Sequence, residues 1–332
     1  MPLNLKNKKV LVTGAGGFIG SHLTETLVGC GADVKAFVRY NSRNDWGLLQ
    51  LLPKDKLQSV EVISGDLRDC DAVRGSMKGT DIVFHLGSLI AIPYSYVHPR
   101  ETIETNVIAC LNVLTAARDL GVERVIHTST SEVYGTARYV PIDEAHPLQG
   151  QSPYSASKIG ADKIAESFYR SFDLPVVTVR PFNTFGPRQS ARAVIPTIIT
   201  QALGPGSQVH VGSLHPTRDY TYVDDTVAAF VRAAEAQDVD GETINVGSGF
   251  EISIGDIVKK ILVLTGVNKT ITQDEKRTRP GKSEVERLWC NNARAKEKLG
   301  WQPAVDFDAG LKKTISWISA NMDLYKAERY NV

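Results

Sequence analysis

Two patterns of hydrophobic residues, one typical of strands and one typical of helices, alternate along the first 180 residues of the chain. Short runs of β-branched and other apolar residues, typical of buried strands, are KVLVTG, DVKAFVR, VEVISGD, DIVFHLG, RVIHTST and PVVTVRP. Between them lie stretches with helical spacing, among them GFIGSHLTETLVGCG, RETIETNVIACLNVLTAARDLG and YSASKIGADKIAESFYRSF. Strands that are apolar on both faces and alternate with helices are typical of a parallel sheet covered on two sides. The pattern therefore predicts a doubly wound α/β fold.

After Pro181 the pattern loosens into shorter elements joined by Gly- and Pro-rich loops. VDDTVAAFVRAAEA has helical spacing, and ETINVG predicts a strand that returns to the main sheet. The segments 250–275 and 290–328 predict a smaller mixed region that ends in a helix. We expect the doubly wound domain at residues 1–180 plus about 224–250, and a smaller mixed α/β C-terminal domain at 181–223 plus about 251–332.

Composition and charge narrow the possible functions. The 38 basic and 37 acidic residues leave a net charge of +1, so no electrostatic footprint for nucleic acid or an anionic membrane exists. Four cysteines without a CxxC pair predict reduced thiols, neither a disulfide framework nor a metal site. No apolar run reaches the roughly 20 residues that span a bilayer, and the N-terminus does not resemble a signal peptide. We therefore expect a cytoplasmic protein.

The turn TGAGGFIG follows the first strand directly and carries Gly14, Gly17 and Gly20. Residues without a Cβ permit a tight turn, and the N-terminus of the next helix, with Phe18 and Ile19, offers free N–H groups to a pyrophosphate. A plain strand-to-helix turn would also use glycines. At the start of a series of alternating strands and helices, however, the motif predicts a dinucleotide-binding Rossmann domain.

The end of the second strand bears on the choice between NAD and NADP. An acidic residue that would hold the ribose hydroxyls of NAD is missing from AFVRYNS. Arg39, Asn41 and Ser42 stand there instead, and a guanidinium with small polar groups suits a 2′-phosphate. We expect NADP, with NAD as the alternative. Asp66, followed by Leu67, is expected to reach the adenine or to cap the next helix.

Tyr154 and Lys158 lie four residues apart at the start of a long helical segment, PYSASK. This spacing places both side chains on one face of a helix. A neighbouring ammonium is expected to lower the pKa of the phenol, so that the phenolate can take a proton from a substrate hydroxyl during hydride transfer. An exposed helical pair is the alternative interpretation.

These motifs together resemble the extended short-chain dehydrogenases/reductases that modify nucleotide sugars. The matching segments are TGAGGFIG, HLGSLI, ETNVIACLNVL, STSEVYG, PYSASK, RPFNTFGPR and RDYTYVDD, with RTRPGKSEVER beyond them. The resemblance implies that Thr130 hydrogen-bonds the C4 hydroxyl of the sugar beside Tyr154 and Lys158. It implies that Glu132 removes the C5 proton once C4 is a ketone, with Ser131 relaying a proton at C6.

The implied reaction is a 4,6-dehydration of a UDP- or GDP-linked hexose, with N-acetylglucosamine as a candidate sugar. The product would be a 4-keto-6-deoxy sugar nucleotide. A nucleotide-sugar 4-epimerase or a UDP-glucuronate decarboxylase stays open, because related decarboxylases share STSEVYG. A non-catalytic dinucleotide sensor is a remote alternative, since such proteins typically lose the tyrosine or the lysine.

The resemblance implies further contacts on both ligands. It places Leu86, Gly87, Ser88 and Asn106 near the cofactor, and assigns substrate contacts to Tyr94, Asn183, Arg188, Val194, Arg218 and Arg279. His85 lies within an apolar strand and is expected to be a core histidine. Apolar stripes near 100–119 and 154–172 imply a homodimer that pairs these helices in a four-helix bundle.

Overall fold

The structure, a computed structural model, describes residues 4–325 and is built around a sheet of seven parallel strands. The sheet order is β10-β6-β5-β4-β1-β2-β3. The strands are β1 Lys9–Thr13, β2 Asp33–Arg39, β3 Val60–Gly65, β4 Ile82–His85, β5 Arg124–Thr128, β6 Val176–Pro181, β7 Asn183–Phe185, β8 Gln208–Val211, β9 Thr217–Tyr222, β10 Thr243–Val246, β11 Glu251–Ser253, β12 Thr270–Gln273 and β13 Arg287–Leu288. This order confirms the predicted doubly wound fold, and the strand predicted from ETINVG does return to the main sheet.

Helices cover both faces of this sheet. They are α1 Phe18–Gly29, α2 Lys54–Gln58, α3 Cys70–Met77, α4 Ile92–Val97, α5 Pro99–Ile103, α6 Ala109–Leu120, α7 Pro153–Phe172, α8 Val194–Leu203, α9 Val223–Glu235, α10 Ile254–Thr265, α11 Ala293–Leu299 and α12 Phe307–Ala320. Alternate residues of β1 enter different cores: Val10 and Val12 pack on one face of the sheet, and Leu11 packs on the other. Burial on both faces explains why the strands read as continuous apolar runs.

The strand order reverses between β1 and β4. From β1 the chain adds β2 and β3 on one side of the sheet, and β4, β5 and β6 on the other. Loops leaving the carboxyl ends of β1 and β4 therefore diverge, and this is the position where open α/β sheets form a crevice for ligands.

A smaller set of elements follows β6. Strand β9 pairs with β7, β11 and β13, and β8 pairs with β12. Helices α8, α10 and α12 pack against one another beside these strands. The division of the chain into two domains at the predicted boundaries stays a prediction. Within residues 4–325, no helix is long and apolar enough to cross a membrane.

The segment predicted as one long helix at 100–119 is helical, but its turns are not uniform. A π-helical turn at Glu104–Ile108 separates α5 from α6. Asn106 lies in this turn and is buried. Its amide donates to the carbonyl of Leu89 and to Ser157, while its Oδ1 accepts from the N–H of Leu89. The wide turn thus ties the loop after β4 to α7, and π turns of this kind are frequent at functional sites.

The packing of α1 against the glycine turn gives a first testable prediction. A Cβ on Gly20 would overlap the carbonyl oxygen of Gly14, whereas a Cβ on Gly29, in the same helix, would meet nothing within 4 Å. We expect Gly20→Ala to lower the free energy of unfolding by about 1–3 kcal/mol, the usual cost of overpacking. Gly29→Ala should leave it unchanged or raise it slightly, because alanine is the better helix former.

Thermal unfolding of both variants against the wild type is the measurement. Gly20→Ala should melt several degrees lower than Gly29→Ala. Equal melting temperatures would show that the turn yields without cost, contrary to the close backbone contact described here.

Candidate active site

A cavity of about 710 Å³ runs along the carboxyl ends of β1 to β6. Sixteen residues that the sequence predicts for the site line it: Gly14, Gly17, Phe18, Ile19, Gly20, Arg39, Asn41, Asp66, Leu67, Leu86, Gly87, Ser88, Thr130, Glu132, Tyr154 and Asn183. Nine other predicted residues are not among the lining residues: Ser42, Tyr94, Asn106, Ser131, Lys158, Arg188, Val194, Arg218 and Arg279. The cavity thus joins the glycine turn to the tyrosine at the start of α7.

The glycine turn fits the pyrophosphate of a dinucleotide. Gly14 has a φ of 70°, a conformation that favours glycine, and a Cβ there would lie 2.8 Å from the Cα of Gly87. Gly17 caps α1 without a side-chain hydrogen bond, so the first N–H groups of the helix keep no side-chain partner at this cap. Free N–H groups and the positive end of a helix dipole are the donors that a pyrophosphate needs.

An arginine ends β2, and an acid lies in the loop that follows this strand. Arg39 keeps 67% of its side chain exposed and lies 3.7 Å from Glu101. Asn41 lines the cavity and organises the loop, because its side chain donates to the carbonyl of Asp45 and accepts from the N–H of Asp45. Asp45 itself lines the cavity and was missed in the sequence analysis, which considered only AFVRYNS.

Asp66 lines the cavity beyond β3, as expected for a residue near the adenine. Its carboxylate accepts from Arg68, at 2.6 Å from Nη2, and this ion pair lowers the pKa of Asp66. The alternative that Asp66 caps the next helix is wrong. Asp69 is the N-cap of α3, accepting from the N–H groups of Asp71 and Ala72.

The start of α7 places Tyr154 and Lys158 against the end of β5. Ser152 caps the helix in a capping box with Ser155, which fixes where the first turn begins. Tyr154 hydrogen-bonds Thr130 on the cavity wall. Lys158, one turn further and buried, donates from Nζ to the carbonyl of Thr128 at 2.6 Å. The two side chains lie on one face of the helix, as predicted.

The expected low pKa of the Tyr154 phenol is wrong for the described protein. Burial raises the pKa above its ordinary value, the hydrogen bond with Thr130 lowers it, and the negative charge of Glu132 raises it further. Lys158 directs its ammonium at a backbone carbonyl. Burial also lowers the pKa of Lys158, against the opposing charge of Asp162. Desolvation is therefore the dominant electrostatic effect on this pair.

Ser131 and Glu132 are the first two residues of the 3₁₀ turn Ser131–Tyr134, and their side chains point in different directions. Thr130 caps this turn by accepting from the N–H of Glu132, and the turn directs Glu132 into the cavity beside Thr130 and Tyr154. Ser131 is buried with 1% exposure and does not line the cavity. Ser131 therefore makes no direct contact with the cavity described here, and its relay of a proton stays a prediction.

A group of opposite charges adjoins Glu132. The guanidinium of Arg279 lies 3.8 Å from Glu132 and 3.9 Å from Glu284, and Arg218 lies 3.4 Å from the same oxygen of Glu284. The predicted substrate contacts Arg218 and Arg279 thus approach the same oxygen of Glu284, and Arg279 also approaches Glu132. Glu284 was missed, because the resemblance in RTRPGKSEVER pointed to Arg279 alone and nothing in the segment marks Glu284 as its partner.

Three predicted substrate contacts lie elsewhere. The hydroxyl of Tyr94 donates to Glu101. Arg188 turns through a φ of 67° and pairs with Glu25 of α1 at 2.7 Å, and Val194 packs on the apolar core at the start of α8. None of the three lines the cavity, since local packing and ion pairing hold them at other sites.

His85 is a buried histidine that hydrogen-bonds Thr13 at 2.8 Å, as expected for a core residue. Ser129, on the cavity wall, donates to the buried Asp162, which also accepts from Arg180 at 2.9 Å. Burial raises the pKa of Asp162, but the hydrogen bond with His127 and the charge of Arg180 bring it to about 2. This buried network fixes the end of β5 under Thr130.

The chain matches the family model described as GDP-mannose 4,6 dehydratase over residues 11–314. It is 33% identical over 316 residues to a UDP-glucose 4-epimerase of Mycolicibacterium smegmatis, covering 93% of this chain and 98% of the relative. It is 32% identical over 330 residues to a dTDP-D-glucose 4,6-dehydratase of Mus musculus, covering 96% and 91%.

Solved structures give the same range of similar proteins. A dTDP-glucose 4,6-dehydratase of Streptomyces venezuelae with NAD and TYD bound is 27% identical, with a TM-score of 0.85 over 97% of this chain and 100% of that one. A UDP-N-acetylglucosamine 4-epimerase of Methanobrevibacter ruminantium in complex with UDP-N-acetylmuramic acid is 30% identical, with a TM-score of 0.86 over 96% and 100%. The chain therefore belongs to the nucleotide-sugar dehydratase and epimerase family of extended short-chain dehydrogenases/reductases.

Proposed function

We propose that the protein is a nucleotide-sugar 4,6-dehydratase. The observation that carries this proposal is the position of Glu132, whose carboxylate lines the same cavity as Thr130 and Tyr154. An enzyme that only removes and returns a hydride has no need of a second base at this place. A carboxylate beside the tyrosine supplies one for a proton on the neighbouring carbon.

Four side chains of the site have separate roles in the proposed reaction. The glycine turn with Gly14 and Gly17 would hold a nicotinamide dinucleotide, which would supply reversible hydride transfer at C4 and C6 of the sugar. Tyr154 takes the proton of the C4 hydroxyl, and Thr130 orients that hydroxyl by hydrogen bonding. Lys158 holds the end of β5 through the carbonyl of Thr128 and supplies positive charge behind the phenol. Glu132 then removes the C5 proton, now acidic beside the ketone, and the C6 hydroxyl takes a proton from solvent and leaves as water. C5 is later protonated from solvent, and Glu132 and Tyr154 return their protons to solvent.

A nucleotide-sugar 4-epimerase is the second candidate, and one observation favours it. Ser131 is buried away from the cavity, so the described site has no assigned acid for the departing C6 hydroxyl. An epimerase needs no such acid. Relatives of similar identity carry either name. The decarboxylase alternative has no comparable structural support, and retention of both Tyr154 and Lys158 argues against a non-catalytic sensor.

A substrate screen separates these reactions. The protein is incubated with UDP-, dTDP- and GDP-linked glucose and N-acetylglucosamine and with UDP-glucuronate, and the products are examined by mass spectrometry. Loss of water supports the dehydratase. Unchanged mass with inverted C4 configuration would make the protein an epimerase, and loss of carbon dioxide a decarboxylase.

The cofactor choice rests on the loop after β2. The exposed guanidinium of Arg39 supports NADP, whereas Asp45 places a carboxylate on the cavity wall that disfavours a 2′-phosphate. The related Streptomyces venezuelae structure contains NAD. We propose NAD as the cofactor in place of the NADP expected from the sequence, because Asp45 supplies the acid that seemed to be missing. Release of the bound dinucleotide from purified protein and its identification by mass decide the matter.

A homodimer is also part of the proposal. Ile103, Ile108 and Leu111 are exposed along the helix that contains the π turn, and Phe172 is exposed at the end of α7, which packs against α6. Exposed apolar groups on neighbouring helices favour an interface. Light scattering should give twice the chain mass of 36.3 kDa, and a monomer would overturn this assembly.

A further inference from the structure

One carboxylate oxygen lies between two arginines at the edge of the candidate site. Glu284 Oε1 is 3.4 Å from Nη2 of Arg218 and 3.9 Å from Nη1 of Arg279. The side chains of Glu284 and Arg218 keep only 12% and 6% of their surface exposed. The carboxylate of Glu284 thus holds two guanidinium groups close together. Without this negative charge the two positive groups would repel each other.

The contacts of Arg279 are incomplete. Its Nη1 is buried without a hydrogen bond, and both neighbouring carboxylates, Glu132 and Glu284, lie beyond hydrogen-bonding distance. A buried donor without a partner is costly, and a forked guanidinium has its strongest partners in carboxylates and phosphates. Arg279 therefore has donors available to an anion that would enter the site.

Glu284 is fixed relative to the catalytic groups. Its backbone carbonyl accepts from the hydroxyl of Thr136, and the hydroxyl of Ser283 donates to the carbonyl of Gln151 at 2.6 Å. Thr136 follows the turn that carries Glu132, and Gln151 precedes the cap of α7. The segment around Glu284 is thus attached on both sides of the site.

We propose that Glu284 is a positioning residue, which holds Arg218 and Arg279 beside the diphosphate site, competes with the diphosphate for both guanidinium groups and restrains Arg279 from pairing fully with Glu132. The inference rests on the proposed function. In the free protein Glu284 shares the charge of Arg279 with Glu132. Because the contact with Glu284 draws Arg279 away from Glu132, it leaves Glu132 free to act as a base.

The test uses Glu284→Gln, with Glu286→Gln as the matched control. Glu286 lies two residues away, and its side chain pairs with His215 at the surface, while only its backbone N–H contacts Thr136. UDP, dTDP and GDP are titrated calorimetrically into wild type and variants. Removing the negative charge next to the binding site should tighten the preferred nucleoside diphosphate about threefold to tenfold in Glu284→Gln, and leave Glu286→Gln unchanged.

Turnover supplies the second measurement. Incorporation of solvent deuterium at C5 should fall about threefold to tenfold in Glu284→Gln relative to C4 oxidation, because Arg279 is left with Glu132 as its carboxylate partner. Tighter diphosphate binding together with slower C5 exchange supports the proposal, since general damage would weaken both. Unchanged or weaker diphosphate binding overturns it.

Two features keep this test decisive. Glu284→Asp keeps the negative charge but moves it away by one methylene. It should show both effects in the same direction and with smaller size. It replaces Glu284→Gln if that variant does not fold. The diphosphate titration needs no turnover. A protein that does not dehydrate any sugar nucleotide would refute the proposed function, while the titration would still decide whether Glu284 positions the arginines.

Discussion

Glu132→Gln should abolish most of the dehydration while leaving oxidation at C4 largely intact. Loss of a positioned general base lowers a rate by about 10²–10⁴-fold, and we expect the loss of water to fall by this amount. The amide keeps the shape of the side chain and can still reach the cavity, but it accepts no proton at neutral pH. The ketone formed at C4 should therefore accumulate together with reduced nicotinamide.

Two readouts separate these steps. Absorbance of the reduced nicotinamide reports C4 oxidation, and mass spectrometry reports the loss of water. Glu123→Gln is the matched control, because Glu123 is an exposed glutamate paired with Lys8 on the protein surface. If Glu132→Gln eliminates water at the wild-type rate, Glu132 is not the C5 base. If neither enzyme eliminates water and only C4 configuration changes, the epimerase is the better description.

The fold was predictable because its signal is spread over many residues. Six apolar runs separated by helical spacing leave few arrangements other than a parallel sheet with helices on both faces. The convergence of Thr130, Glu132 and Tyr154 followed from the same topology, since β5 and α7 must meet at the carboxyl edge of the sheet. The sequence motifs and the topology both placed these three residues at this edge of the sheet, and all three line the cavity.

Single contacts between distant segments were not predictable. Glu284 approaches Arg218 across 66 positions of sequence, and no periodicity or spacing marks such a pair. Arg188 was expected to contact the substrate, but a local φ of 67° and the nearby Glu25 direct it to α1. Asp45 was not predicted because it lies further along the loop after β2 than the usual position of the acid. Ionic partners depend on side-chain packing that the sequence pattern does not contain.

Tyr154→Phe should stop the reaction earlier than Glu132→Gln does. Without the phenol no group in the described cavity is placed to take the proton of the C4 hydroxyl, and we expect C4 oxidation itself to fall by about 10²–10⁴-fold. The substitution removes the phenolic oxygen, which hydrogen-bonds Thr130, but keeps the buried aromatic ring. The variant should therefore still fold. Stopped-flow absorbance of reduced nicotinamide in a single turnover is the measurement, with Tyr139→Phe, at an exposed tyrosine, as the control.

The pH dependence of C4 oxidation gives this prediction a second readout. Burial raises the pKa of Tyr154, and the charge of Glu132 raises it further, so the phenolate becomes more abundant as the pH rises above neutrality. The single-turnover rate of the wild type should therefore increase toward alkaline pH. In Glu132→Gln the same rise should begin at lower pH, because removal of the carboxylate charge stabilises the phenolate. Tyr154→Phe should show no such rise, and a rise that survived in this variant would assign the proton transfer to another group.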